Sequence, residues 1–266
     1  MLFRSRAEPE YLEIMPGPSA WPFAAALFTA LFFLLLTVQA YSVAIACAVI
    51  AVGCVLRWLW DTDRPVVPEE VDAGAGIMLP TYVTGPRSHG WWAMIVLLIV
   101  IGMIFVMTLF SFVFLFGVHP QFWAPAPPIG WLLPILGPDA VAALLVLLAR
   151  RLLCKGTTLW TPPTLMLIAA PMLLIALLVD IWSWRSSGFD PELTAQAALV
   201  HAFLVQQALL CAISLLMALY IAVRASRGMI TEPRSNSFDL VTLFLFYTAA
   251  QGCAAALVTR AIPAAM

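Results

Sequence analysis

The chain has 266 residues, 63% of them apolar and only 10% charged, with a formal net charge of -1. A soluble globular domain carries roughly 25% charged residues, so this composition excludes one and points to an all-α, polytopic membrane protein. The near-neutral balance gives no sign of nucleic-acid binding, and the basic loop residues serve topology first.

Residues 1–19 form a polar lead that holds Arg4 and Arg6. A hydrocarbon core about 30 Å thick takes about 20 helical residues to cross, and the sequence offers seven apolar stretches of about that length. They are 20–38, 42–60, 91–117, 132–150, 162–182, 195–223 and 238–262. Arg4 and Arg6 before an apolar run, with Val38-Gln39-Ala40 behind it, have the outline of a cleaved leader. The lead is long, however, and a second span follows at once, so residues 20–60 are expected to form a retained two-helix hairpin. The segment 61–90 contains DTDRPVVPEEVDAGAGIMLPTYVTGPRS, rich in proline, glycine and acidic residues, and is expected to be a cytoplasmic linker loop. Residues 91–262 then form a five-helix bundle. Within it, His89 to Val118 carries no charged side chain after its histidine and, past its tryptophans, only Thr108 and Ser111 as hydrogen-bonding side chains. Asp139, just after Gly137-Pro138, is placed to cap the start of the fourth helix, and Pro171 to kink the fifth.

Short cytoplasmic loops collect lysine and arginine. Seven spans put Arg4, Arg6, Arg57, Arg64, Arg87, Arg150, Arg151, Lys155, Arg224, Arg227 and Arg234 on one side and only Arg185 and Arg260 on the other. The N-terminus is therefore expected in the cytoplasm and the C-terminus in the periplasm, as in a multi-pass protein of a bacterial-type inner membrane. The ten tryptophans, from Trp21 to Trp184, all fall near span ends, at the depth where an amphipathic ring settles. The five cysteines form no CxxC pair and are read as small packing residues.

Signs of chemistry are few. A haem or copper carrier needs paired histidines on facing helices, yet only His201 lies inside a span, with no second histidine one turn away. No cofactor is expected in this chain. None of the fourteen carboxylates stands at mid-span. Asp180 comes closest, beside Trp182, Trp184 and Arg185, and is read as an interfacial group that is solvated or paired with arginine. Such a chain is not an autonomous pump. Intramembrane polar groups gather on the last two spans: His201, Gln206, Gln207, Cys211 and Ser214, then Thr242, Tyr247, Thr248 and Gln251. Gln207, Cys211, Ser214 and Ala218 share one helical face, as do Tyr247 and Gln251, and helix packing is the expected role. The alternatives are a small-molecule transporter or channel with its path between the last two helices, and a membrane enzyme using His201. With no phosphate loop, no nucleophile beside a base and no metal-ligand spacing, elimination leaves a non-catalytic subunit.

The run LPTYVTGPRSHGWWAM, Leu79 to Met94, is followed by a long apolar span and a proline-rich turn with Trp123-Ala124-Pro125 and Pro127-Pro128. This pattern resembles subunit III of haem–copper terminal oxidases, which use cytochrome c or quinol, and most of all the subunit III portion of fused subunit I and III chains. YLEIMP (Tyr11 to Pro16) and RWLWDTD (Arg57 to Asp63) are similar to the joining region of such fusions, so nearly the whole chain is covered. The resemblance implies a hairpin and a five-helix bundle arranged in a V around bound lipid. It also implies an accessory place beside oxidase subunits I and II in aerobic respiratory electron transport, with haem and copper in the partner. The family commonly carries a membrane-buried glutamate early in the helix after this entry. Here the equivalent place, close to Leu98, is apolar, so no role in proton uptake is carried over. Arg57, Arg64, Arg87 and His89, beside Trp58, Trp91 and Trp92, are the expected phospholipid contacts, since positive charge next to interfacial tryptophan suits a headgroup.

Overall fold

A computed structural model describes residues 2–3, 9–11, 18–62, 70–74, 76–80, 89–155, 161–230 and 236–264. The chain divides into two compact units, Met1–Thr84 and Gly85–Met266. Among the described residues there are seven α-helices, six of them long and apolar enough to cross a membrane and a seventh, shorter apolar one of 17 residues. At a rise of 1.5 Å per residue that shorter helix reaches about 25 Å.

The first unit is built around two neighbouring helices, α1 (Trp21–Thr37) and α2 (Tyr41–Thr62). Between them the chain reverses at Gln39, which adopts a φ of 60°. The Ala40 N–H donates to Leu35 O and the Gln39 N–H to Leu36 O, at 2.9 and 3.0 Å. Two of the carbonyls that end α1 are thereby satisfied, in the manner of a Schellman turn. The place where a leader would be cleaved is thus a tight interhelical turn. α2 buries Ala44, Cys47, Ala51 and Cys54, a three-and-four spacing of small side chains that lets backbones approach closely. Trp21 Nε1 donates to Asp61 Oδ2 at 3.1 Å, tying the start of α1 to the end of α2.

Two short antiparallel pairings complete this unit, β1 (Leu2–Phe3) with β2 (Pro9–Tyr11) and β3 (Glu70–Asp72) with β4 (Met78–Pro80). The segment expected to be an irregular loop therefore holds a hairpin at its centre. Its turn is specified locally: Gly74 and Gly76 take positive φ, and Asp72 Oδ1 accepts from the Gly74 N–H at 2.8 Å.

The second unit consists of α3 (His89–Val118), α4 (Leu132–Leu153), α5 (Thr161–Ser186), α6 (Ala195–Ser226) and α7 (Asn236–Ala264). α4 packs on α5 and α7, α6 on α5 and α7, and α3 lies against α6 and α7. α4 buries Ile135, Asp139, Ala142, Val146, Ala149 and Leu153, again at alternating three- and four-residue steps. Asp139 is thus not a cap. The helix begins seven residues earlier, with Trp131 at its N-cap and no side-chain cap bond. Pro134 falls in the first turn, where a missing N–H costs nothing, and Pro138 forfeits only the bond to Pro134 O, so the helix runs through Gly137-Pro138. Pro171 likewise lies inside a helix that continues for fifteen more residues, to Ser186.

The ends of α5 and α6 show why the chain turns where it does. Gly188 (φ 76°) and Gly228 (φ 70°) take the left-handed conformation one position past each helix cap. The next N–H, of Phe189 or Met229, donates back to Trp184 O or Arg224 O. Phe189 also seats its ring on Trp184, at 4.7 Å between centroids, which is the apolar contact that accompanies this turn. α6 opens on Thr194, whose hydroxyl accepts from the Ala197 N–H at 3.1 Å.

Between α3 and α4 the proline-rich turn carries two short 3-10 segments, Pro120–Phe122 and Ile129–Trp131. Gln196 of α6, 1% exposed, clamps it. Its Oε1 accepts from the Ala124 N–H at 2.8 Å and its Nε2 donates to Ala124 O at 2.9 Å. Trp123 stands edge-on to Phe112 and Phe116. Replacing Gln196 with leucine orphans a backbone donor and a backbone acceptor together, at about 1–3 kcal/mol for each buried group left unmade. The expected result is loss of hydrogen-exchange protection at the Ala124 amide and new proteolytic cleavage near Pro125, with the remaining helices unchanged.

Candidate functional site

Several buried polar groups of the second unit come together nearer the end at which α5 and α7 finish. Arg260 of α7 is fully buried. Its Nη2 donates to Asp180 Oδ1 at 2.6 Å and to Ser183 Oγ at 2.5 Å, and its Nη1 to Ala256 O at 3.3 Å. The Ser183 hydroxyl in turn donates to Asp180 O at 2.8 Å. The guanidinium lies 5.1 Å above the Trp184 ring, a stacked arrangement that a weakly hydrated planar cation favours. Asp180 is buried, and its partner is Arg260, eighty residues away, not the neighbouring Arg185.

Next to this pair is a small cavity lined by Asp180, Trp184, Gln207, Gly252 and Thr259 together with apolar groups. It has room for about one water molecule. Against Gly252 of its wall lies Asp139, 1% exposed, whose Oδ2 accepts from the Cys253 thiol at 3.8 Å. Gln207 Nε2 donates to Thr248 O at 3.0 Å. The amide and the carboxyl meet at Gly252: a Cβ there would stand 2.7 Å from Gln207 Nε2 and 2.9 Å from Asp139 Oδ2. Glycine is required so that these two groups can approach the α7 backbone. Among the described residues, Asp139 Oδ1 and Gln207 Oε1 are buried without a hydrogen-bond partner.

Deeper still, Ser214 and Thr248 share a hydroxyl hydrogen bond at 3.2 Å, and Cys211 Sγ donates to Leu173 O at 3.6 Å. Gln207, Cys211, Ser214 and Ala218 are all buried. Tyr247 and Gln251 lie elsewhere on α7. The Tyr247 hydroxyl faces Gly102 of α3, where a Cβ would come within 3.4 Å, and Gln251 is buried. Gln206 Nε2 reaches Ile101 O at 3.4 Å. His201 Nδ1 is 2.9 Å from Ala197 O, one turn back on its own helix. Leu98 packs with Leu210 and Phe244.

The expected headgroup contacts fall in two places. In the first unit Arg57 pairs with Asp61 at 3.3 Å along α2, and Trp58 beside it is exposed. In the second unit His89 opens α3, Trp91 and Trp92 meet edge to face at 4.9 Å, and Trp92 points outward. Arg64 and Arg87 lie outside the described residues. At the opposite end of the bundle from Arg260, Arg150 and Asp239 pair at 3.0 Å and join α4 to α7. That pair is half in solvent and contributes at most about 1 kcal/mol.

Sequence reading placed Arg260 among the outer loop charges and Asp139 at a helix start, and so missed the centre of the cluster. The available signal was an arginine inside an apolar run, VTRAIPAAM, where an unpaired charge is too costly to keep. Among the described residues no three His, Cys, Asp or Glu side chains converge as a metal site would require. No family model matches the chain, and no curated protein matches it either.

Proposed function

We propose that this chain is an accessory, non-catalytic subunit of a haem–copper oxygen reductase, stabilising the catalytic subunit and bound phospholipid. The observation that carries the proposal is the entry segment GPRSHGWW, Gly85 to Trp92, with its long apolar span and the Trp123-Ala124-Pro125 turn behind it. The helix order supports it: two helices in a first compact unit, five in a second. On this reading the N-terminus is cytoplasmic, the C-terminus periplasmic, and haem and copper belong to the partner subunit.

A path for solutes between α6 and α7 is less well supported. Two bonds already close this interface, Gln207 Nε2 to Thr248 O and Ser214 to the Thr248 hydroxyl. Such interhelical bonds are worth about 1 kcal/mol each and act as packing.

Affinity purification from native membranes, followed by haem spectroscopy and identification of companions, tests the proposal. A haem–copper subunit I should copurify, and its absence under mild solubilisation would sink the reading. Flux in liposomes holding the purified chain alone would favour the transporter. Changing Arg87 and His89 to alanine is expected to lower the phospholipid that copurifies with the complex. Unchanged lipid content would remove these residues from the headgroup site.

A further inference from the structure

The ion pair of Asp180 and Arg260 is self-sufficient, whereas the inner carboxyl is not. Asp139 has no cationic side chain within ion-pair distance among the described residues, and its one donor is a thiol, which donates weakly. Every titratable or charged group facing it can be named. Cys253 comes from α7, Cys211 from α6 and Asp180 from α5, with Arg260 of α7 behind Asp180 as its partner. On its own helix the nearest are Arg150 and Arg151, three turns away. Only Arg260 among those across the interface is a cation, and its guanidinium is committed to Asp180 and Ser183.

Hydrogen-bond accounting defines what the site lacks. Gln207 Nε2 donates to Thr248 O and also reaches Cys211 Sγ at 4.0 Å. Its Oε1 and Asp139 Oδ1 are both acceptors, both buried and both without a donor. The two side chains meet at Gly252, and their unmet acceptors are supplied by one proton on the carboxyl, which turns it into an O–H donor, or by a donating water. The neighbouring cavity is polar on the sides formed by Gln207, Thr259 and Asp180, so a water there has the partners it needs. Asp180, which gives Oδ1 to Arg260 and is also hydrogen-bonded by the Trp184 side chain, forms part of the cavity wall.

We infer that Asp139, Gln207 and the cavity beside Gly252 form a buried proton-binding site. A proton leaves the Asp139 carboxyl for the cavity water, which relays one of its own past Asp180 toward the end of the bundle where α5 and α7 finish. Uptake reverses the same transfer, and no other reactant is needed. The relay reaches only that end: beyond Ser214 and Thr248 the buried face of α6 continues through the apolar Ala218 and Ile221. The site is a dead-ended proton well and not a channel. It stands independently of the oxidase reading.

Infrared spectroscopy of the full chain in lipid nanodiscs, titrated with pH in H2O and then D2O, tests the inference. The expected result is a carboxylic-acid carbonyl band that appears on acidification, shifts in D2O, shifts again when aspartate carries a 13C side-chain label, and is lost in Asp139→Asn. In Gly252→Ala a methyl enters the space shared by the amide and the carboxyl. The band should then persist but take up deuterium more slowly. A band that ignores the aspartate label, or survives in Asp139→Asn, overturns the site. Because the label needs no variant, this holds even if Asp139→Asn does not fold. Deuteration as fast in Gly252→Ala as in the parent protein overturns the route.

Discussion

Arg260→Ala is expected to lower the stability of the five-helix unit by about 3–5 kcal/mol, the usual cost of removing one partner of a buried ion pair. Arg260 holds the Asp180 carboxylate, caps the Ser183 hydroxyl and covers the Trp184 ring, and all of these are buried. Alanine leaves the carboxylate in an apolar bundle without a counter-charge. Arg260→Lys should recover only part of the loss, because an ammonium has no flat face to lie on the indole. Pairing Arg260→Met with Asp180→Leu should recover most of it, since two matched apolar groups carry no orphaned charge. Thermal unfolding in detergent, followed by circular dichroism, ranks the four proteins. A single alanine variant as stable as the parent would contradict this account.

Trp184→Ala is the second large effect, and its size depends on the surrounding solvent. In a soluble core, truncating a buried tryptophan costs about 3–5 kcal/mol. In a bilayer the transfer part of that sum disappears, because lipid tails are as apolar as the protein interior. What remains is the cavity, the lost cation–π contact with Arg260 and the lost edge contact with Phe189. About 2–3 kcal/mol is expected. Trp184→Phe should cost about half as much, since a phenyl ring keeps a face for the guanidinium. The alanine effects at 184 and 260 should not add, because both remove the same contact. The double variant measures this: a sum equal to the two separate losses would show that the stacking contributes nothing.

The parts of this fold that were legible in the sequence are those that each segment decides for itself. Seven helices were expected and seven are described, with ends displaced by only a few residues, because length and apolarity alone determine a span. Helix ends at Gly188 and Gly228 are local too, written in the only residue that takes the left-handed turn without strain. The pairing of Asp180 with Arg260 was not legible, since nothing within either helix names a partner eighty residues away. Asp139 was misplaced for a different reason. Gly137-Pro138 reads as a break, and only the packing of α4 on α5 and α7 shows that the helix runs through it and turns the carboxyl inward. The hairpin at β3 and β4 was not anticipated within the expected linker loop, because its strands are only three residues each.

The long helix α3 presents most of its surface outward, with Val96, Ile99, Val100, Met103, Met107, Phe110 and Phe114 all exposed. Its two hydroxyls do not interrupt that surface. Thr108 Oγ1 donates to Ile104 O and Ser111 Oγ to Met107 O, each one turn back on the same helix. To a neighbouring helix or an acyl chain, α3 is therefore a greased rod with no polar latch. Any protein that rests on it gains no hydrophobic energy by displacing lipid, and must be held by the fit of side chains into grooves. Such a contact has few penalties for sliding or rotating, so its register must be fixed at the two ends, where the tryptophans and the proline-rich turn stand.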